Sequence, residues 1–123
     1  MTNKALLVVL ALFASYAGAQ DQPTVEYIPG DEGERVPLHT VVPLYPEKAR
    51  RARVEGEVEV CFKVDREGNT HRVAVRRSTN RVFEKPARDA IRASTYKPLP
   101  PDQELSGIKT CRTFRFTLTK IEP

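Results

Sequence analysis

Hydrophobic and polar positions alternate most regularly at Val58, Val60, Phe62 and Val64, which are separated by Glu59, Cys61 and Lys63 and preceded by Glu57. A period of two marks a strand with one buried face. Asp65 to Asn69 follows, with Gly68 suited to the left-handed position of a hairpin loop. Thr70 to Arg77 then reads as a second strand with Val73 and Val75 toward the core. From Phe83 the period lengthens, and Phe83, Ala87, Ala90, Ile91 and Ser94 take helical spacing. Pro86 has to lie in the first turn of that helix, because deeper it would cost ~3 kcal/mol. Pro98, Pro100 and Pro101 stop it. Ile108 to Leu118 alternates again, with Phe114, Phe116 and Leu118 on one face and Cys111, Thr113, Arg115 and Thr117 on the other. Ahead of the first strand, Pro46 opens a short helix where its missing N–H costs nothing. Ala49 and Ala52 share one face of it, Arg50, Arg51 and Arg53 take the others, and Gly56 ends it. The order αββαβ predicts an α+β domain in two layers: a three-stranded antiparallel sheet with both helices on one face.

The chain begins differently. Lys4 precedes an unbroken apolar run from Ala5 to Ala14, and Ala17-Gly18-Ala19 offers a small-x-small cleavage pattern. These features predict a secretory signal peptide over residues 1–19, cut after Ala19. The run is shorter than the ~20 residues that span a bilayer; an uncleaved inner-membrane anchor is the alternative. Residues 20–42 carry Pro23, Pro29, Pro37, Gly30, Gly33 and several acids without apolar periodicity, and are expected to form an extended or loosely ordered N-terminal arm. Residues 43–120 make up the single remaining domain. An export signal changes the meaning of the formal charge of +4. A basic exported protein rarely meets nucleic acid, so peptidoglycan, anionic lipid and acidic protein surfaces are the partners to weigh, beside plain solvation of the surface.

Chemistry-bearing patterns are sparse. His39 and His71 lie far apart, and no Ser or Cys motif marks a nucleophile. Asp65, Glu67 and Asn69 are spaced like the start of a calcium loop, but the later Gly and Glu positions are not met. No close-spaced pair of zinc ligands exists. The reading is a non-enzymatic protein without catalytic residues, metal or cofactor. Cys61 and Cys111 are an even count in an oxidising compartment, so a disulfide is expected, with two reduced thiols on a solvent face as the rival.

The punctuation of the chain resembles that of the TonB C-terminal domain family. The matching positions are Pro43-x-Tyr45-Pro46-x-x-Ala49, Glu55-Gly56-x-Val58-x-Val60-x-Phe62-x-Val64-Asp65-x-x-Gly68, Val75-x-x-Ser78, Phe83-x-x-x-Ala87-x-x-Ala90-Ile91-Arg92, Tyr96-Lys97-Pro98 and Phe114-x-Phe116. They cover Pro43 to Leu118. The resemblance implies a periplasmic domain that captures a short extended peptide, the TonB box, of an outer-membrane transporter. Capture is by strand addition to the free edge of the last strand. It further implies partner-binding residues at Pro43, Tyr45, Pro46, Arg112, Thr113, Phe114, Arg115 and Phe116. It also implies a strand order in which Cys61 and Cys111 sit on adjacent strands, facing away from the helices. Val42 stands where well-known members have Gln before the Pro-x-Tyr-Pro segment, and Thr95 replaces an aromatic residue. Coupling members also carry a membrane anchor and a long Pro-rich spacer, and this sequence is expected to have neither. Inner-membrane motor proteins are further candidate partners. The alternative function is a structural or peptidoglycan-binding envelope module acting through Arg72, Arg76, Arg77 and Arg81.

Overall fold

The structure, a computed structural model, describes residues 21–28 and 35–120. The predicted signal peptide lies outside the described residues. Among those described, no helix is long and apolar enough to cross a membrane. The elements in chain order are β1 (Asp21–Ile28), β2 (Pro37–His39), α1 (Glu47–Arg51), β3 (Gly56–Val64), β4 (Thr70–Ser78), a 3-10 turn (Arg81–Phe83), α2 (Glu84–Ala93), β5 (Thr95–Tyr96) and β6 (Thr110–Lys120). The main sheet is antiparallel in the order β1-β6-β3-β4, and β2 pairs with β5 in a separate two-stranded ribbon.

The αββαβ core is as expected from the periodicity. Val58, Val60, Phe62 and Val64 of β3 and Phe114 and Phe116 of β6 are buried together with Ala49 of α1 and Ala87 and Ile91 of α2. Both helices therefore cover one face. The centre of that core is a ring cluster. Phe83 stacks on Phe116 with centroids 4.3 Å apart, and Tyr45 meets both rings edge-on at 5.6 Å. Edge-to-face and offset arrangements let the negative ring face meet a positive edge, which adds ~0.5–1.5 kcal/mol per pair beyond area burial. Pro86 falls in the first turn of α2, whose start is prepared by the Asn80 side chain accepting from the Val82 N–H.

Four details differ from the sequence reading. The sheet has a fourth strand, because part of the proline-bearing arm pairs with β6. Gly56 does not end α1. The helix closes at Arg53, which takes a φ of 57°. The Arg53 N–H then bonds the Arg50 carbonyl and the Val54 N–H bonds the Ala49 carbonyl, the two bonds of a Schellman motif. Gly56 is needed for close approach instead: a Cβ there would come within 2.4 Å of Thr79 Oγ1 and 3.0 Å of the Phe83 ring. Ala52 is exposed rather than sharing the buried face of Ala49, and Ile108 is exposed and precedes β6.

Cys61 and Cys111 form a disulfide across directly opposed positions of β3 and β6. They lie on the polar face of the sheet, with Glu57, Glu59, Thr113 and Arg115. Their Cα atoms are 4.0 Å apart. That spacing belongs to the close, non-hydrogen-bonded pair of an antiparallel ladder, near ~4.5 Å, rather than to the hydrogen-bonded pair near ~5.5 Å. Since the two pair types alternate, the disulfide fixes the direction of every backbone group along β6. Arg112, Phe114 and Phe116 point their N–H and C=O groups at β3. Cys111, Thr113, Arg115 and Thr117 point theirs the other way. Leu118 has the parity that faces β3, and its N–H is taken by Glu55, which immediately precedes β3, at 2.7 Å.

The hairpin at Asp65 is tied to β5. Gly68 has a φ of 93°, and its carbonyl accepts from the Tyr96 N–H at 2.8 Å. Burial pushes the Asp65 carboxyl up, but the Asn69 N–H, the His71 ring and the Gly68 N–H together bring it below the ordinary carboxylate range.

Two measurements follow from this packing. An added Cβ at Gly68 would sit 1.9 Å from the Tyr96 carbonyl oxygen in a backbone conformation that L-residues resist. Gly68→Ala should therefore cost at least ~1–3 kcal/mol, seen as a drop of at least ~5 °C in Tm for a domain of this size. Cys61→Ser combined with Cys111→Ser opens a loop spanning a sequence separation of 50. In the chain-entropy account it should lose about 4 kcal/mol while keeping the fold. Denaturant titration of the oxidised parent against the double variant reads that difference directly.

Candidate partner-binding edge

β6 is central in the sheet, with β3 on one side and β1 on the other. The core side of β6 presents Arg112, Phe114 and Phe116, all buried, and the opposite side presents Thr113, Arg115 and Thr117. β1 runs antiparallel to β6 over its whole length, with Ile28 opposite Thr113, Tyr27 opposite Phe114, Glu26 opposite Arg115, Val25 opposite Phe116 and Asp21 opposite Lys120. From the parity set at the disulfide, Gln22, Thr24, Glu26 and Ile28 direct their backbone groups at β6. Asp21, Pro23, Val25 and Tyr27 direct theirs outward. Pro23 thus has its missing donor on the solvent edge, where an edge strand tolerates proline.

The side chains of β1 fit this edge in charge and shape. Val25 and Tyr27 pack against the core cluster from the side. The Tyr27 ring lies 6.4 Å from Phe114, and the Arg112 guanidinium sits 4.6 Å from the Tyr27 centroid. Arg112 is only 2 % exposed; its guanidinium also donates to the Tyr96 hydroxyl at 2.8 Å and lies 5.7 Å from that ring. A guanidinium held over aromatic faces gains ~0.5–2 kcal/mol from each ring quadrupole, more where water is excluded. Arg115 binds Glu57 of β3 at 2.8 Å, with Glu26 opposite it on β1. Asp21 pairs with Arg53 at the end of α1.

β1 is nevertheless lightly held. None of its residues is fully buried. The Tyr27 hydroxyl, shielded from solvent, has no hydrogen-bond partner among the described residues. Each ladder bond contributes ~0.5–1.5 kcal/mol net, while ordering each backbone residue costs ~1–2 kcal/mol. The ladder bonds alone thus roughly offset the cost of ordering the strand, and its net hold on β6 rests on Val25, Tyr27 and Asp21.

The residues expected to bind a partner separate into groups. Arg112, Thr113, Phe114, Arg115 and Phe116 line the β6 edge together, but Phe114 and Phe116 are core rings that reach a neighbouring strand only sideways. Tyr45 joins them from below. Its hydroxyl donates to the Val54 carbonyl, and burial, then the Glu55 charge, raises it above the ordinary tyrosine range, so it stays protonated. Pro46 caps α1. Pro43 is buried elsewhere, in an open apolar groove of about 280 Å³ with Val42, Leu44, Pro86 and Ala90. Val25 and Tyr27 were not anticipated. The only signal for them was the short alternation Thr24-Val25-Glu26-Tyr27 inside a proline-bearing segment. Among the described residues no group of three or more His, Cys, Asp or Glu side chains is placed to hold a metal ion.

Comparison with known proteins agrees with this architecture. The Gram-negative bacterial TonB protein C-terminal family matches residues 41–118. A solution NMR structure of the Pseudomonas aeruginosa TonB CTD is similar at a TM-score of 0.50 and 27% sequence identity, covering 76% of this chain and 92% of that one. No match was found among proteins of curated function. An αββαβ core whose last strand is paired with β3 on one side and with the N-terminal β1 on the other, together with that match over most of the core, places the chain in the family of Gram-negative bacterial TonB protein C-terminal domains.

Proposed function

We propose that this protein is an exported, periplasmic adaptor that captures an extended peptide segment of an outer-membrane transporter by strand addition to β6, in the service of energy-coupled transport or its modulation. The family is a non-enzymatic protein-interaction domain of TonB-dependent transport. The observation that carries the finer reading is the behaviour of the β6 edge. It accepts eight residues of extended chain in continuous antiparallel register without a bulge. Backbone pairing of this kind supplies affinity, and the pockets for alternate side chains supply selectivity. The modest net worth of each bond gives a reversible grip, which suits a coupler that must release its partner.

The arginine-surface alternative has less support. Two of its four residues, Arg76 and Arg77, share the carboxylate of Glu59 at 3.7 and 3.3 Å. Part of the positive charge available to an anionic wall polymer is thereby cancelled.

The parity of β6 turns the proposal into a paired measurement. Arg112→Pro removes a donor facing β3 and should unfold the domain. Thr113→Pro removes a donor facing the partner side and should leave a folded protein. That folded variant should bind a synthetic TonB-box segment at least ~10-fold more weakly than the parent, about 1.4 kcal/mol. If folded Thr113→Pro binds the segment as tightly as the parent, strand addition at this edge is wrong, and retention on peptidoglycan through the arginines becomes the reading to pursue.

A further inference from the structure

The acceptor edge is already occupied by the chain itself. We propose that β1 is a resident stand-in for the partner. It holds the β6 edge in the unliganded protein, the partner segment must displace it, and the partner shares its chemistry. That chemistry is an acidic extended segment with an aliphatic residue in the place of Val25 and an aromatic one in the place of Tyr27, over Arg112. This inference rests on the reading of β6 as the partner-binding edge and adds to it both a competitor and a selectivity rule.

Displacement follows from the state of the sheet's other edges. The outer edge of β1 lacks a donor at Pro23. The outer edge of β4 is interrupted by two register shifts against β3 and by Arg72 at a φ of 52°, and carries Arg72, Arg76 and Arg77. Bulges, charges and proline are the devices that stop a sheet edge from pairing with another chain. Both outer edges of the four-stranded sheet are guarded in this way. Among the described residues of this sheet, the regular, unguarded edge is the one that β1 covers.

The selectivity rule follows from the register. Asp21 lies opposite Lys120 and beside Arg53, Glu26 lies opposite Arg115, and Tyr27 lies over Arg112. Each distinctive side chain of β1 meets a complementary group. The fit is incomplete at one point, since the Tyr27 hydroxyl is enclosed without a hydrogen-bond partner among the described residues. An occupant of the right class with an imperfect fit can yield to a better one. Only residues 29–36 separate β1 from β2, so β1 competes at the high effective concentration of a short tether.

The test uses the full chain. Thr24→Pro with Glu26→Pro removes two donors that β1 directs at β6 and changes no residue of β6 or of the buried core. The probe is a labelled synthetic peptide of residues 21–28, Asp-Gln-Pro-Thr-Val-Glu-Tyr-Ile. The variant should bind it at least ~10-fold more tightly than the parent, corresponding to an edge occupied in cis about 90 % of the time. Replacing the peptide's Tyr by Ser should weaken binding at least ~5-fold, a change that leaves the protein's own stability unaltered. A second measurement needs no variant. Hydrogen exchange on the parent with a saturating TonB-box segment should show Thr24, Glu26 and Ile28 losing protection while Thr113, Arg115 and Thr117 keep theirs. The proposal is overturned if the folded variant gains no affinity, or if the β1 amides stay protected while the segment is bound. Segment binding that Thr113→Pro abolishes but Thr24→Pro/Glu26→Pro leaves unchanged also overturns it, while the edge reading stands. Segment binding indifferent to Thr113→Pro removes the edge reading itself.

Discussion

A β-strand inside a sheet has backbone donors and acceptors on both sides, and each set must be paired or hydrated. β6 is where this requirement shapes the molecule. One set, on Arg112, Phe114 and Phe116, is spent on β3 and cannot be withdrawn without opening the core. The other set, on Thr113, Arg115 and Thr117, serves no core contact and is met by β1. The division follows from a single spacing, that of Cys61 and Cys111, because pair types alternate along an antiparallel ladder. Core integrity and the pairing of β1 are thereby written on alternate residues of one strand. Substitutions one position apart fall on different sides of the molecule's stability and function.

Most of the core was legible in the sequence because its elements bury whole faces. The period of two through Val58 to Val64 and the helical spacing of Ala87, Ala90 and Ile91 both reflect apolar burial, which leaves a strong trace in residue choice. Gly68 was legible as a left-handed turn residue. Gly56 was legible as a glycine but not for its reason, since the approach of Thr79 and Phe83 depends on tertiary packing. Helix α1 closes on a non-glycine left-handed residue, Arg53, which no propensity would select.

The candidate site was only half legible, again for a physical reason. The β6 side showed through the alternation around Phe114 and Phe116. Its occupant did not, because an edge strand is held by backbone bonds that every residue can make. β1 contributes just two apolar positions, Val25 and Tyr27, between Pro23 and Pro29. Arg112 was legible as an edge residue by position, but a charge among core-facing positions reads as an interruption. Its burial depends on the Tyr27 and Tyr96 rings around it, one of which comes from the arm.

The disulfide has a mechanical meaning beyond its thermal one. A segment paired along β6 and pulled parallel to the strand loads its hydrogen bonds in shear, so they resist together. Without a covalent tie, the same pull would be shared by the β6–β3 ladder, built of the same kind of bond, and either interface could slip first. The Cys61–Cys111 bridge joins β6 to β3 near the start of β6. Force entering β6 is passed through a covalent bond into β3, whose Val58, Val60, Phe62 and Val64 lie in the core. If a segment is captured on β6 as proposed, the weak link would be its own ladder with β6, so tension would end in release of the segment and leave the domain's own sheet intact.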